Sequence, residues 1–292
     1  MSVQSPPLVT REGEQHYMNL AARAEEKLQA IDGVADACYE PDSIGPEEFA
    51  AVEKAVFQET RLLGGATFAE LLQQREQHED LREPQDAVET TVGSLVWGFM
   101  REEKVAKARR MLGSGLGLFV IRPEVSHVSR EIQDFVSEHG VRIVEVQQTV
   151  ISGAEYAALY SHAFRWDDPA REGHVRRRAF GYVDTPLEVV LMQDETGAGH
   201  EFMDDFTERV KGVAGVHDGE TLRGGVVHET ISTMRAHDPD LTDQALDPLG
   251  MFRSASLAGT YKPGVDPYLA NIPGVHIPDS NEAIKDYCVL VR

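Results

Sequence analysis

The sequence predicts an α+β fold, in which an all-α region precedes a small sheet covered by helices. Between residues 11 and 112, apolar residues recur at the spacing of amphipathic helices, without the alternation typical of strands. After Gly113, short runs rich in β-branched residues alternate with helical patterns. Such alternation indicates a sheet packed against helices. We therefore expect two parts, a helical region at 1–112 and an α/β sandwich at 113–292.

Four helices are expected in the first part. Gly33 ends the first, because glycine readily adopts the left-handed conformation found after helices. Pro46 suits the first turn of the second helix, and Thr67 with Glu70 forms a capping box at the start of the third. Pro84 separates the third helix from the fourth. The expected ranges are 11–31, 46–57, 67–81 and 86–112.

Four strands and four helices are expected in the second part. The strands are expected at 116–121, 141–150, 187–192 and around Val275, and the helices at 126–139, 153–163, 200–212 and 280–286. In the second strand, Val141 and Ile143 lie on one face while Val144 and Val146 lie on the other. We therefore expect both faces of this strand to be covered for part of its length.

The chain is acidic, which makes some classes of partner unfavourable. Its 292 residues include 49 acidic and 28 basic residues, for a formal charge of -21. Such a surface repels phosphate backbones and anionic lipid heads, so neither nucleic acid nor a membrane is expected as a partner. A nucleotide can still bind where a few cations line a pocket, because salt screens the overall charge within about 10 Å.

The spacing of cysteine and histidine predicts neither a disulfide framework nor a metal site. Cys38 and Cys288 form no CxxC pair, and the 11 histidines include no HExxH motif. The first residues show no signal-peptide pattern, and no segment approaches the roughly 18 apolar residues of a spanning helix. These observations favour a protein of the reducing cytoplasm. The basic segments at 104–110 and 176–178 are interpreted as solvated faces.

Four motifs of the second part occur in a consistent order. Residues 119–124 read FVIRPE at the end of the first strand, and Tyr160 follows Ser152 by eight residues. Residues 219–224 read GETLRG, and residues 276–280 read HIPDS. In this order they resemble motifs of the nucleoside diphosphate kinase family. The family motifs are Ile-Lys-Pro-Asp, a helix-opening serine followed by a phosphate-contacting tyrosine, Pro-Gly-Thr-Ile-Arg-Gly and the nucleophile motif His-Gly-Ser-Asp-Ser.

The resemblance implies a ferredoxin-like α/β sandwich with an antiparallel sheet, assembled as a homo-oligomer. It also implies transfer of a phosphoryl group between nucleotides through a phosphohistidine at His276, with Asp286 orienting the ring. Mg²⁺ would be bound through the phosphates of a nucleoside di- or triphosphate. The residues that would contact those phosphates are Arg122, Tyr160, Arg209 and Arg223.

These residue types suit phosphoryl transfer, which depends on positioning and on positive charge around the transferred group. Histidine has a reference pKa near 6.5, so most of it is neutral and nucleophilic at pH 7. A covalent intermediate divides the transfer into two similar half-reactions. Arg122 stands where the family has lysine, so a planar guanidinium group replaces a compact ammonium group.

Departures from the family leave three functions open. Arg223 and His276 lie 53 residues apart, against about thirteen in the family, so the segment 226–272 is interpreted as an insertion. Pro273 stands where the family has asparagine. The first function is a phosphotransferase with a specialised substrate, and the second is a non-catalytic nucleotide-binding or scaffold protein with a degenerate site. The third is an enzyme of unrelated chemistry on the same sandwich.

Overall fold

The computed structural model describes residues 9–30, 61–63, 66–67, 96–161, 178–197, 199–248, 250, 252 and 262–291. The helix expected at 46–57, residues 68–81 of the helix expected at 67–81, and the start of the one expected at 86–112 lie outside these residues. Helix α1 (Arg11–Gln29) confirms the first expected helix. The Thr10 side chain caps it by accepting a hydrogen bond from the Gly13 backbone N–H at 3.1 Å.

A short antiparallel hairpin lies in the region that was expected to be all-α. It consists of β1 (Arg61–Leu63) and β2 (Ala66–Thr67). The all-α prediction is therefore wrong here, and Thr67 ends a strand instead of starting a helix. The sequence does carry a signal for this hairpin, because Gly64 and Gly65 are the residue type favoured in tight two-residue turns.

The single helix expected at 86–112 is interrupted. Residues 96–99 are helical, Arg101 has an extended backbone with ψ of 144°, and α2 spans Glu102–Gly113. The new helix begins with two acidic residues, Glu102 and Glu103. Negative charge in a first turn stabilises a helix start, which explains why the helix restarts at this position.

A four-stranded antiparallel sheet lies at the centre of the second part, so the predicted α+β class is confirmed. The strands are β3 (Leu116–Ile121), β4 (Val141–Val150), β5 (Pro186–Asp194) and β6 (Val275–His276). Their order across the sheet is β4-β5-β3-β6, and each neighbouring pair is antiparallel. All four occur near the expected positions, and β3, β4 and β5 are runs rich in apolar and β-branched residues.

Helices cover the sheet, and they include every helix expected after Gly113. They are α3 (Ser129–Ser137), α4 (Gly153–Leu159), α5 (Phe202–Phe206), α6 (His228–His237), α7 (Pro239–Leu246), α8 (Pro267–Ala270) and α9 (Ser280–Leu290). Short 3₁₀ turns span Pro123–Val128 and Gly199–Glu201, and π-helical turns span Thr207–Lys211 and Arg223–Val227. No helix of the described ranges is long and apolar enough to cross a membrane.

Alternate residues of β3 and β5 fill two hydrophobic cores, one on each face of the sheet. Leu118 and Val189 belong to the core that includes α4 and the end of α9. Phe119 and Val190 belong to the core that includes α3 and α5. Because both faces are buried, these central strands consist almost entirely of apolar residues.

The edge strand β4 is not covered on both faces, contrary to expectation. Val144, Val146 and Val150 are 47%, 39% and 44% exposed. As the outermost strand, β4 pairs with β5 alone among the described strands. Its apolar residues on the second face therefore stay open to solvent.

The segment expected to be an insertion, 226–272, supplies α6, α7 and α8 and packs against α1. Asp238 caps α7 by accepting a hydrogen bond from the Leu241 backbone N–H at 2.9 Å. His237 Nε2 lies 2.9 Å from a carboxylate oxygen of Glu14 on α1. The first helix and the insertion thus meet beside the sandwich.

Candidate active site

Strand β6 and helix α9 bring His276 and Asp286 together. Asp279 caps the start of α9, which fixes the position of Asp286 two turns later. His276 Nε2 lies 2.6 Å from Asp286 Oδ2, and His276 is only 6% exposed. His276 Nδ1 has no hydrogen-bond partner within the described part of the chain. The carboxylate therefore holds one ring nitrogen and leaves the other available for chemistry.

The charges around this pair favour a neutral histidine and an ionised aspartate. Burial is the main cause that lowers the pKa of His276, and Arg122 and Lys211 act in the same direction against the attraction of Asp286. Burial opposes ionisation of Asp286, but Lys285 and His276 hold the pKa of this carboxyl below its usual value. A neutral imidazole is the form that can act as a nucleophile.

A buried arginine–tyrosine cluster adjoins the histidine. Arg122, at the end of β3, donates hydrogen bonds to Tyr160 Oη at 2.6 Å and to Tyr182 Oη at 3.2 Å. The Tyr182 hydroxyl donates in turn to Glu124 Oε1 at 2.8 Å. The rings of Tyr160 and His276 meet edge-on, with centroids 5.4 Å apart. Contacts thus run without a break from Arg122 to the histidine.

Arg223 approaches the same place from the π-helical turn that it begins. It donates from Nη2 to the backbone carbonyl of Val275, the residue before His276, at 2.9 Å. Its Nε is buried and has no hydrogen-bond partner. Burial, followed by repulsion from Arg122 and Arg178, lowers the pKa of Arg223 to about 9. An anion at this position would relieve that repulsion.

Lys211 is a further cation that the sequence analysis did not identify. Its ammonium group donates to the backbone carbonyl of Ile277, the residue after the histidine, at 2.7 Å. Burial, followed by repulsion from Arg223, lowers the pKa of Lys211 to about 8. A basic residue in the last turn of a helix was the available signal, but it is also typical of ordinary helix ends.

Arg209 is not brought to this cluster. It lies one helical turn after Asp205 and is paired with that carboxylate, with Nη2 and Oδ2 2.7 Å apart. Its side chain is 44% exposed. The neighbouring Val210 is buried and Lys211 contacts the histidine segment, so the face carrying Arg209 points away from the site. The expected role of Arg209 in phosphate binding has no support in its position.

The remaining five expected site residues, Arg122, Tyr160, Arg223, His276 and Asp286, converge. Glu124 and Tyr182 also belong to the cluster, although the sequence analysis gave them no role. Glu124 stood in the quoted motif as the counterpart of an aspartate, whereas Tyr182 carried no local signal. Only long-range packing of residues 178–182 against the end of β3 places that tyrosine.

The cluster is suited to bind phosphate oxygens, because it presents guanidinium, ammonium and hydroxyl donors. Within the described residues, no three histidine, cysteine or acidic side chains are grouped to hold a metal ion. Comparison of the chain with protein-family models, with curated proteins and with solved structures finds no match. Any function of this cluster therefore has to be inferred from the geometry of its side chains.

Proposed function

We propose that the chain transfers a phosphoryl group from a nucleoside triphosphate to an acceptor through a phosphohistidine at His276. The observation that carries this proposal is the contact of 2.6 Å between His276 Nε2 and the buried Asp286. The other ring nitrogen of His276, Nδ1, has no hydrogen-bond partner among the described residues. A nucleophilic histidine needs one nitrogen oriented and the other free. The proposed chemistry is that of the nucleoside diphosphate kinase family, which the sequence motifs resemble.

The arrangement of the sandwich supports a ferredoxin-like fold for this domain. A helix follows β3 and leads to β4, and helical segments follow β5 and lead to β6. β4 and β5 are antiparallel neighbours at one side of the sheet, and β3 lies between β5 and β6. This order and alternation are those of two interleaved strand–helix–strand units.

In the first half-reaction, the lone pair of His276 Nδ1 attacks the terminal phosphorus of the triphosphate. The bond from phosphorus to the bridging oxygen breaks, and the nucleoside diphosphate leaves with that electron pair. The proton on Nε2 remains there, and the carboxylate of Asp286 stabilises the positive charge that develops on the ring. The acceptor reverses these steps in the second half-reaction.

The cations of the cluster would stabilise the charge on the transferred group. Arg122 donates to two hydroxyl groups, and no carboxylate of a described residue lies within ion-pair distance of it. Arg223 and Lys211 contact the carbonyl groups on either side of His276. Mg²⁺ would enter with the nucleotide and neutralise its phosphates.

The burial of the cluster favours a second candidate function, a non-catalytic protein that keeps the fold. Arg122 is 3% exposed, and its Nη1 and Nη2 already donate to Tyr182 and Tyr160, whereas its Nε has no partner. Buried polar groups that satisfy one another can stabilise a unique fold without performing chemistry. In that case the protein would bind a nucleotide, or serve as a scaffold, without forming phosphohistidine.

The two functions differ in whether ATP labels the protein. The protein would be incubated with Mg²⁺ and ATP carrying ³²P at the γ-phosphate, and the label tested for loss in acid and retention in base. We expect acid-labile label in the wild type and at least a hundredfold less in His276→Ala. The matched control is His217→Ala, because the His217 side chain is 57% exposed and lies outside the cluster.

Circular dichroism would establish that both variants are folded. A folded wild type that binds ATP without acquiring label would reject the phosphotransferase and support the second function. Label that persists in His276→Ala would reject His276 as the nucleophile.

A further inference from the structure

A cavity lies between α1, residues 178–185 and the segment expected to be an insertion. Its volume is about 70 Å³, and the empty space at its mouth is open to solvent. A drug-sized ligand would therefore be only partly enclosed. Apolar side chains form much of its wall, among them Leu20, Ala24, Phe180, Leu246, Phe252 and Ile272.

The cations of this cavity form no ion pair among the described residues, although Asp184 attracts Lys27 from a greater distance. Arg23, Lys27 and Arg178 line it, and none is within ion-pair distance of a carboxylate in the described part of the chain. Lys27 donates instead to the carbonyl oxygens of Phe180 and Val183, each at 2.8 Å. The Nε of Arg178 is buried without any hydrogen-bond partner.

The acidic residues of the wall are already engaged by donors of the protein. Glu124 Oε1 accepts hydrogen bonds from the Tyr182 hydroxyl at 2.8 Å and from the Gly274 backbone N–H at 3.2 Å. Both oxygens of Asp247 accept from the Phe252 backbone N–H at 3.1 Å. The cavity therefore offers an apolar wall, three cations against two carboxylates, and a buried donor of Arg178 that is unsatisfied.

We propose that this cavity binds a small amphipathic anion, with an aromatic or aliphatic body and one phosphate or carboxylate group. Arg178 contacts the anionic group, and the apolar wall covers the body. Inorganic phosphate would lack the apolar contacts, and a neutral aromatic compound would leave the Arg178 donor unsatisfied. The proposed nucleophile does not line the cavity, although Glu124 and Tyr182 of the buried cluster do.

Helix α1 and residues 245–248, together with Phe252, form one wall of this cavity. They lie outside the four-stranded sandwich and opposite Phe180 and Tyr182. Tyr182 also accepts a hydrogen bond from Arg122 in the buried cluster. A ligand in the cavity would therefore lie one side chain away from the proposed catalytic arginine.

Titration calorimetry with 1-naphthyl phosphate and 2-naphthoate tests the proposal and distinguishes a phosphate from a carboxylate ligand. At least one of the two is expected to bind with one site per chain. We expect 2-naphthalenemethanol and inorganic phosphate to bind at least tenfold more weakly, because each lacks half of the recognised chemistry. Arg178→Gln should weaken binding about tenfold to a hundredfold, as expected for loss of a charged hydrogen bond. Its matched control is Arg130→Gln, which removes one exposed positive charge from α3.

A second variant fills the cavity without relying on charge. Gly181 lines the cavity, and a Cβ added there meets no atom within 4 Å, so Gly181→Leu should fold and block the probe. Gly113→Leu is the matched control, because Gly113 also has open space around it and lies outside the lining. His276→Ala should bind the probe like the wild type, which separates this proposal from the phosphotransferase.

Three results would overturn the proposal. One is the absence of saturable binding by either naphthyl anion, and another is unchanged binding in both Gly181→Leu and Arg178→Gln. The third is loss of binding in His276→Ala with the fold intact, since the probe would then occupy the histidine site instead of the cavity.

Discussion

Acidification should destabilise the protein through His127, which lies under the first helix. Its ring stacks on His16 with centroids 4.5 Å apart and meets Tyr17 edge-on at 5.4 Å. Its Nδ1 is buried without a hydrogen-bond partner. Burial, followed by repulsion from His16, lowers the pKa of His127 to about 3 from its usual 6.5.

The sign of the effect follows from this lowered pKa. Between pH 6.5 and pH 3, the unfolded chain takes up a proton at His127 that the folded chain does not, so the folded state loses stability as the pH falls. At pH 5, about 1.5 units below the usual pKa of histidine, protonation of His127 in the unfolded chain lowers the free energy of unfolding by roughly 2 kcal/mol.

Urea denaturation at pH 7 and pH 5 would measure this effect in the wild type and in His127→Phe. Phenylalanine keeps the stacked ring and removes the titration, so the wild type should lose about 2 kcal/mol more than the variant over this interval. Equal losses in the wild type and His127→Phe would refute the reasoning.

Three other outcomes are expected. Asp286→Asn should reduce labelling by ATP at least tenfold, since an amide cannot stabilise charge on the ring, and unchanged labelling would remove Asp286 from the mechanism. Arg209→Gln should change the free energy of unfolding by less than about 0.5 kcal/mol and leave labelling within twofold, because its ion pair is exposed; a tenfold loss of labelling would restore its phosphate role. Light scattering should give a mass of at least twice 32.3 kDa. Val144→Lys, on the exposed face of β4, should lower that mass. A wild-type mass near 32.3 kDa would contradict the expected homo-oligomer.

The central sheet could be predicted because its signals are local. Residues 141–150 were expected as one strand and form β4 (Val141–Val150), since alternating β-branched residues favour the extended backbone wherever the strand lies. The coverage of Val144 and Val146 was mispredicted for a non-local reason. Whether a strand is central or at an edge depends on how the other strands pair, so it cannot be predicted from the residues of that strand alone.

The candidate site likewise contains residues that local motifs predicted and residues that only long-range contacts place. The motifs around Arg122 and His276 lie at strand ends that meet in the sheet, so their order along the chain was informative. The partners Tyr182 and Lys211 are placed by contacts between distant segments, and nothing in their neighbouring residues indicates those contacts. The basic loop was interpreted as solvated because its composition is polar, yet Arg178 has a buried Nε.

The docking of α1 has a consequence for how the chain folds during synthesis. Its Lys27 bonds the carbonyl of Phe180, and its Glu14 pairs with His237, 223 residues later. At about 5–20 residues per second, a ribosome needs on the order of 10–40 s to make the chain between them. Tyr17, which is buried in the finished protein, contacts Glu124 and His127 earlier, whereas α1 meets α7 only at the end of that interval. A nascent chain arrested before residue 239 should therefore leave the face of α1 that packs against α7 open to proteolysis.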